Sequence, residues 1–237
     1  MSYASELMKK KLNSGRHVRI KLLGDSITHG VGGTGFAQDG DEIILGVRRN
    51  PGGYCWANQF QVMMESKYDC TVVNNAMSGS TINYISDHFN MLVEDEDDLI
   101  ICTVGTNNRH QYHADGPKRS REEHAEMVYG YILQLHDLLK NSGKDFIFVT
   151  NLPAAAFNEV DCADFWRILH MEDIDGMYKK AQAELGFAFI SMYDLVNDYC
   201  KAENILVDAL LCDGLHPNDE GFDVMFRLTC QALELEC

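Results

Sequence analysis

The chain has 237 residues, 46% hydrophobic and 24% charged, enough apolar material for a packed core, which excludes a disordered or collagen-like polymer. Its 36 acidic and 20 basic side chains give a formal net charge of −16, which disfavours nucleic acids and anionic membranes as partners. The first 26 residues contain no apolar run of signal-peptide length, and no stretch approaches the roughly 18–20 apolar residues of a membrane helix.

The eight cysteines (55, 70, 102, 162, 200, 212, 230 and 237) include no CxxC pair, so zinc-ribbon and thioredoxin readings fail. The simplest expectation is a cytoplasmic protein with reduced thiols.

In chain order, VRIKLL (18–23) reads as the first strand, followed by a long glycine-rich loop. Arg19 and Lys21 alternate there with Val18, Ile20 and Leu22, a pattern that suits a half-exposed strand better than a central one and is read as a local exception. Residues 52–68 read as a helix and 70–74 as a second strand. A short helix spans 80–92, with Ser80 or Thr81 available as its cap. The acidic run 94–98 reads as a solvated connection, because it lacks calcium-loop spacing. LIICTV (99–104) is apolar throughout, as a strand buried on both faces should be.

Segment 121–140 is the clearest helix, with Val128, Tyr131, Ile132, Leu135, Leu138 and Leu139 at helical spacing. Strand 145–150, a helix near 172–185 closed by Gly186, strand 187–190 and a helix over 191–201 follow. The last helix starts after Pro217, with Asp219 and Glu220 complementing its dipole. Phe222, Met225, Phe226, Thr229, Ala232 and Leu233 mark its inner stripe. Five strands alternating with helices imply a parallel sheet covered on both faces, with ligands at the strands' C-terminal ends.

Four short blocks stand at those ends. Gly24-Asp25-Ser26 follows the first strand directly, where a serine can present its hydroxyl at the ligand edge. A helix cap is the plainer reading of that serine. Near the C-terminus, Asp213 and His216 stand three positions apart before Pro217. In a turn, such a carboxylate can reach the imidazole Nδ1 and leave Nε2 free to act as a base. Gly79 precedes a helix start, where backbone N–H groups can receive an anion. Asn107 follows the third strand, and its amide can donate toward the same spot. Each of these two, taken singly, also reads as an ordinary turn.

In this order and spacing the four blocks, spanning residues 24–217, resemble the SGNH (GDSL) hydrolase family. That resemblance implies a flavodoxin-like three-layer α/β/α sandwich with a parallel five-stranded sheet. The members are esterases, lipases, thioesterases and carbohydrate O-acetyl esterases. It implies Ser26 as nucleophile, His216 as general base and Asp213 as its orienter. Gly79 and Asn107 would complete an oxyanion hole with the Ser26 N–H. The departure is Asn108, where the family usually has Asp. Because Ser26 and His216 lie 190 positions apart yet must meet, one domain over 1–237 is expected.

Weaker motifs carry less. Gly30, Gly32 and Gly35 match GxGxxG, but the context is wrong for a dinucleotide site and loop flexibility is the preferred reading. His110 and His113 could ligate zinc but lack a third ligand, so they are read as lining the cleft mouth. No cofactor and no metal are expected.

The loops 30–55, 108–120 and 151–171 contribute Arg48, Arg49, Tyr54, His110, Tyr112, Phe157 and Trp166. Of these, Arg48, Tyr54, His110 and Trp166, together with Asp25, are the candidate substrate contacts. Aromatics beside polar groups suit sugars better than lipid. The expected substrate is a small-molecule ester, most simply an acetyl group on a carbohydrate or similar polar alcohol. The alternatives are a lysophospholipase or acyl-thioesterase on the same triad, and a non-catalytic carbohydrate-binding protein. Neither nucleic acid nor membrane is an expected partner, and a homo-oligomer is left open.

Overall fold

The computed structural model describes residues 2–36, 43–44, 47–48, 52–111, 117–159 and 167–237. Five strands form one parallel sheet: β1 (Val18–Gly24), β2 (Cys70–Asn74), β3 (Leu99–Thr103), β4 (Asp145–Val149) and β5 (Ala188–Ile190). Their order is β2-β1-β3-β4-β5, the flavodoxin-like arrangement. The chain therefore reverses direction of travel across the sheet between β1 and β3, and the crevice at that point lies at the carboxyl ends of the strands. A two-residue hairpin pairs Ile43–Ile44 with Val47–Arg48 outside this sheet.

The described helices are α1 (Tyr3–Leu12), α2 (Ser26–His29), α3 (Trp56–Lys67), α4 (Ile82–Asp87), α5 (Phe89–Leu92), α6 (Arg121–Asn141), α7 (Met171–Leu185), α8 (Met192–Glu203) and α9 (Asp219–Leu233). Side-chain alternation along the strands divides the core in two. Val18, Ile20, Leu22, Leu99 and Ile101 pack with α1, α3, α8 and α9. Leu23, Ile100, Cys102 and Phe148 pack with α4, α5, α6 and α7 on the other face. The three-layer α/β/α sandwich expected from the sequence is the one observed. No described helix is long and apolar enough to cross a membrane.

The exception in β1 has a physical reason, and several other local expectations are corrected. β1 is an interior strand, flanked by β2 and β3, although it carries two cations. Lys21 is fully buried, and its ammonium lies 2.8 Å from Glu94 and 3.5 Å from Asp97. Arg19 pairs with the same Glu94 and with Asp97 at 3.0 Å, while its backbone N–H donates to Asp98. The acidic run is therefore the counter-charge of β1. Buried charges persist only when paired and hydrogen-bonded, and here the partners come from the connection just before β3.

The segment 80–92 is not one helix. Thr81 caps α4 by accepting from Tyr84 N–H. The chain then leaves helical geometry at His88, whose ring Nδ1 lies 2.9 Å from the Tyr84 carbonyl. The helix expected from residue 52 begins only at Trp56, after Gly53 at φ +113°. α1 falls where the sequence reading placed no element. It is started by Ser2, which accepts from Ser5 N–H, and it packs on α9 and β5. Cys230 and Cys237 form a disulfide, so the all-reduced expectation fails for that pair. The turn after α9, through Glu234 at φ 51°, brings the two sulfurs together. Cys55, Cys70, Cys102 and Cys200 are buried free thiols, and Cys212 is an exposed one. Cys162 lies outside the described residues.

Candidate active site

β1 ends at Gly24, where a Cβ would lie 2.8 Å from the Thr103 carbonyl of β3, so the strand can turn here only with glycine. Asp25 then caps α2 by accepting from Ile27 N–H at 3.1 Å. The cap is thus Asp25 rather than Ser26, which becomes the first helical residue and points its hydroxyl toward the opposite end of the chain. His216 Nε2 lies 2.9 Å from Ser26 Oγ. His216 Nδ1 lies 2.7 Å from Asp213 Oδ2. The other Asp213 oxygen accepts from the backbone N–H of Leu215 and of His216, at 3.0 and 2.7 Å. Burial alone would raise the Asp213 carboxyl, but the hydrogen bonds from the His216 ring and these two N–H groups outweigh it and hold it below its ordinary value. A carboxylate so held fixes the Nδ1–H tautomer, and Nε2 can then accept a proton from the serine.

Two close approaches pin the histidine turn. Gly32 sits at φ +103°, and a Cβ there would lie 2.3 Å from the Pro217 carbonyl and 3.2 Å from His216 Cβ. Gly32 therefore serves contact with the histidine turn and Gly33 a close approach to the Tyr54 carbonyl, which replaces the expectation of flexibility at these two positions. On the other side, Ala155 N–H donates to the Gly214 carbonyl at 2.9 Å. Leu211 and Pro217 bridge the base of the turn, and Asn218 caps α9 by accepting from Gly221 N–H.

The loops after β2 and β3 face the same edge. Met77 N–H donates to the Gly24 carbonyl at 3.1 Å, and Ser78 N–H donates to His29 Nδ1 at 3.3 Å. Gly79 comes next at φ +83°, with open space where a Cβ would be. Asn107 donates one amide hydrogen to the Ser80 carbonyl at 2.9 Å. An amide nitrogen carries two hydrogens, so a second is available. Asn108 takes over the task expected of an Asp. Its Oδ1 accepts from Ile82 N–H at 2.8 Å, capping the start of α4, and its Nδ2 donates to Asn83 Oδ1.

The candidate substrate contacts divide. Asp25 is fully buried and turned inward, where Asn151 Nδ2 donates to it at 2.8 Å. Burial pushes its carboxyl up to about 6, against the lowering effects of Ile27 N–H, Thr106, the His216 charge and Asn151. It supports α2 from below and does not line the cleft, so the expected contact role is corrected. Tyr54 donates its hydroxyl to Asp223 on α9 and lines an apolar hollow of 540 Å³ with Val62, Met63 and Phe226. None of Ser26, Asp213 and His216 borders that hollow.

His110 lines a different, polar hollow of 230 Å³ together with Gly79, Asn83, Tyr84 and Tyr131; this one also lacks Ser26, Asp213 and His216 in its lining but adjoins the Gly79 loop. Burial, then the charges of Arg109 and Arg167, push the His110 imidazole down to about 4, so it is neutral at pH 7. A neutral imidazole can both donate and accept hydrogen bonds. Among the described residues no group of three metal-ligating side chains occurs. The Arg48 side chain, Arg49, Tyr112, His113 and Trp166 lie outside the described residues. Phe157 is exposed, with its ring against Gly214.

The sequence reading missed three supporting side chains: His29, Thr106 and Asn151. His29 stands one helical turn after Ser26. The other two come two to three residues after strands β3 and β4, and a polar residue just past an apolar strand was the signal available for them.

The GDSL-like Lipase/Acylhydrolase family model matches residues 22–224. No curated protein matches the chain in sequence. Among solved structures, the acetylxylan esterase Axe2 from Geobacillus stearothermophilus is similar at 17% identity and a TM-score of 0.66, covering 95% of this chain and 97% of its own. A mutant of the same Axe2, described as an acetyl-xylooligosaccharide esterase, gives 19% identity and a TM-score of 0.64 with the same coverage. A protein described as a GDSL-like lipase from Parabacteroides merdae gives 16% and 0.66, covering 95% of this chain and all of its own. At such identities these structures speak for the fold, and the family model speaks for the chemistry. With 203 of its residues inside that model, the chain belongs to the GDSL-like lipase/acylhydrolase family and is a carboxylic ester hydrolase.

Proposed function

We propose that the chain hydrolyses small acyl esters, chiefly acetyl, of a carbohydrate or similar polar alcohol, with Ser26 as nucleophile, His216 as general base and Asp213 as its orienter. The observation that carries this reading is the continuous chain Ser26 Oγ–His216 Nε2 (2.9 Å) and His216 Nδ1–Asp213 Oδ2 (2.7 Å).

Ser26 Oγ attacks the ester carbonyl carbon while its proton passes to His216 Nε2. The carbonyl oxygen becomes an oxyanion, received by the N–H groups of Ser26 and Gly79 and by the second amide hydrogen of Asn107. Collapse expels the alcohol, which takes the proton back from His216. A water then attacks the acyl-serine by the same route and releases the carboxylic acid. Each oxyanion donor of this kind is worth about 2.7–4 kcal/mol in other serine hydrolases. Asp213 stabilises the transient imidazolium and stays ionised throughout.

The substrate reading draws on the polar hollow beside Gly79. At 230 Å³ it falls below the roughly 300–1,000 Å³ of sites for drug-sized ligands. Its Asn83, Tyr84, His110 and Tyr131 offer ring faces and hydrogen-bonding atoms, which suit one polyhydroxylated ring. A long acyl chain there would leave those polar atoms without partners. The catalytic mutants of Axe2 replace one serine, one aspartate and one histidine, the last two three positions apart, as Asp213 and His216 are here.

The test is p-nitrophenyl acetate hydrolysis by wild type and Ser26→Ala. The variant should lose at least about 10³-fold in kcat, by analogy with triad knockouts elsewhere. Equal activity would sink the serine mechanism. Faster cleavage of long-chain p-nitrophenyl esters than of the acetate would sink the substrate reading. A panel of acetylated oligosaccharides, followed by mass spectrometry for acetyl loss, then identifies the alcohol.

A further inference from the structure

We infer that His29 is a positioning residue that latches the Ser78–Gly79 segment and so aims the Gly79 N–H at the ester's developing oxyanion. The inference rests on the serine-esterase reading above. His29 closes the four-residue helix α2 that Ser26 opens, and it is fully buried. Its Nδ1 accepts from Ser78 N–H at 3.3 Å and lies 2.9 Å from Ser78 Oγ.

A nitrogen that accepts a backbone N–H carries no proton of its own. The ring is therefore the neutral Nε2–H tautomer, and the Ser78 hydroxyl also donates to Nδ1. Burial favours that neutral form, holding the imidazole below its ordinary pKa. On the far side Nε2 is buried without a hydrogen-bond partner among the described residues, beside the Phe36 ring. An apolar side chain would fill this space with no stranded N–H. What the imidazole adds is the acceptor for Ser78.

That acceptor matters because Ser78 leads directly into the oxyanion donor. Gly79 sits at φ +83° with open space where a Cβ would be, in a turn closed by Ser80 N–H donating to the Met77 carbonyl at 3.1 Å, and His29 fixes that turn to the nucleophile helix. Its N–H belongs to the peptide that joins it to Ser78. Ser80 is held from the other side by Asn107 Nδ2, the second oxyanion donor. The nucleophile helix, through His29, and the third-strand loop, through Asn107, thus grip the loop at two points either side of Gly79. One rigid unit then carries both the nucleophile and the restraint on its oxyanion donor, as transition-state stabilisation by fixed dipoles requires.

The test compares His29→Phe, His29→Asn and His29→Gln with wild type and Ser26→Ala, measuring kcat and KM for p-nitrophenyl acetate and the thermal midpoint. His29→Phe fills the space without an acceptor and should lower kcat about 10- to 100-fold, part of what losing a whole oxyanion donor costs. KM should stay within about twofold, because the interaction strengthens only in the transition state. Asn places its oxygen near the position of Nδ1 and should recover kcat to within about threefold of wild type. Gln places its oxygen nearer Nε2 and should not recover it.

Wild-type kcat in folded His29→Phe would overturn the inference. So would equal kcat for Asn and Gln, and that pair carries the test if His29→Phe does not fold. Loss of activity in Ser26→Ala with no loss in His29→Phe overturns the latch alone. An active Ser26→Ala overturns the serine reading and the latch together.

Discussion

Asp25→Asn is the most informative substitution at this site, because it isolates a buried charge directly beside Ser26. The Asp25 carboxyl is raised from 3.8 to about 6, and burial is the chief cause. One pKa unit is worth about 1.4 kcal/mol, so the shift amounts to about 3 kcal/mol of stability linked to protonation. The sign is set by proton binding. Between about pH 4 and pH 6 the folded chain holds a proton on Asp25 that the unfolded chain has released. This contribution is therefore fully present below about pH 4 and lost as pH rises through about 6. Asn cannot ionise, so the variant should gain on wild type by about 2 kcal/mol between about pH 4.5 and about pH 7.5, most of that total.

A constant offset is superimposed on this change. The new amide keeps an oxygen for Ile27 N–H but turns an NH₂ toward Asn151, which now donates to Asp25 and to Thr106. Asn151 Oδ1 is buried without a partner and could accept if that amide flipped, at the cost of the Thr106 bond. One such rearrangement costs about 1–3 kcal/mol at every pH. Urea unfolding of both proteins at about pH 4.5 and about pH 7.5, with matched m-values, separates the constant offset from the pH-dependent change. The reasoning is refuted if the stability difference between the two proteins is the same at both pH values.

Two further outcomes concern the supports of the fold and of the histidine turn. Lys21→Met should cost about 3 kcal/mol, the low end for breaking a buried ion pair, because Arg19 remains to partner Asp97. Thermal unfolding checks this. Activity per folded molecule should be unchanged, since Lys21 is engaged at the amino ends of the strands, away from Ser26. Gly32→Ala should lower kcat at least about 10-fold, because its Cβ would lie 2.3 Å from the Pro217 carbonyl and must push the His216 turn away from Ser26. A wild-type kcat for this variant would show that the turn does not depend on that contact.

The chain's layout was legible in the sequence wherever one face of an element is apolar. β3 reads as a central strand because every residue in LIICT is buried, and α6 reads as a helix because its buried residues recur every three to four positions. Ser26, Asp213 and His216 could be singled out because short motifs impose local geometry: a strand-to-helix turn with glycine, and a carboxylate three residues before an imidazole. The same local logic could not see charge pairing across the sheet. Arg19 and Lys21 stood as an unexplained exception in the first strand until Glu94 and Asp97 were placed against them, more than 70 positions away in the chain.

Nor could it see which way a polar residue turns. Asp25 adjoins Ser26 in sequence but faces the interior, while Asn83, Tyr84 and Tyr131, with no motif to mark them, share a hollow with Gly79. The sequence by itself determined the order of the five strands and the candidate groups standing at their ends, because these arise from periodicity and turn geometry over a few residues. Only the tertiary structure decided which charges are buried, which glycines permit close contact and which side chains touch the Ser78–Ser80 loop. Those depend on contacts between segments that approach one another only when the sheet is assembled.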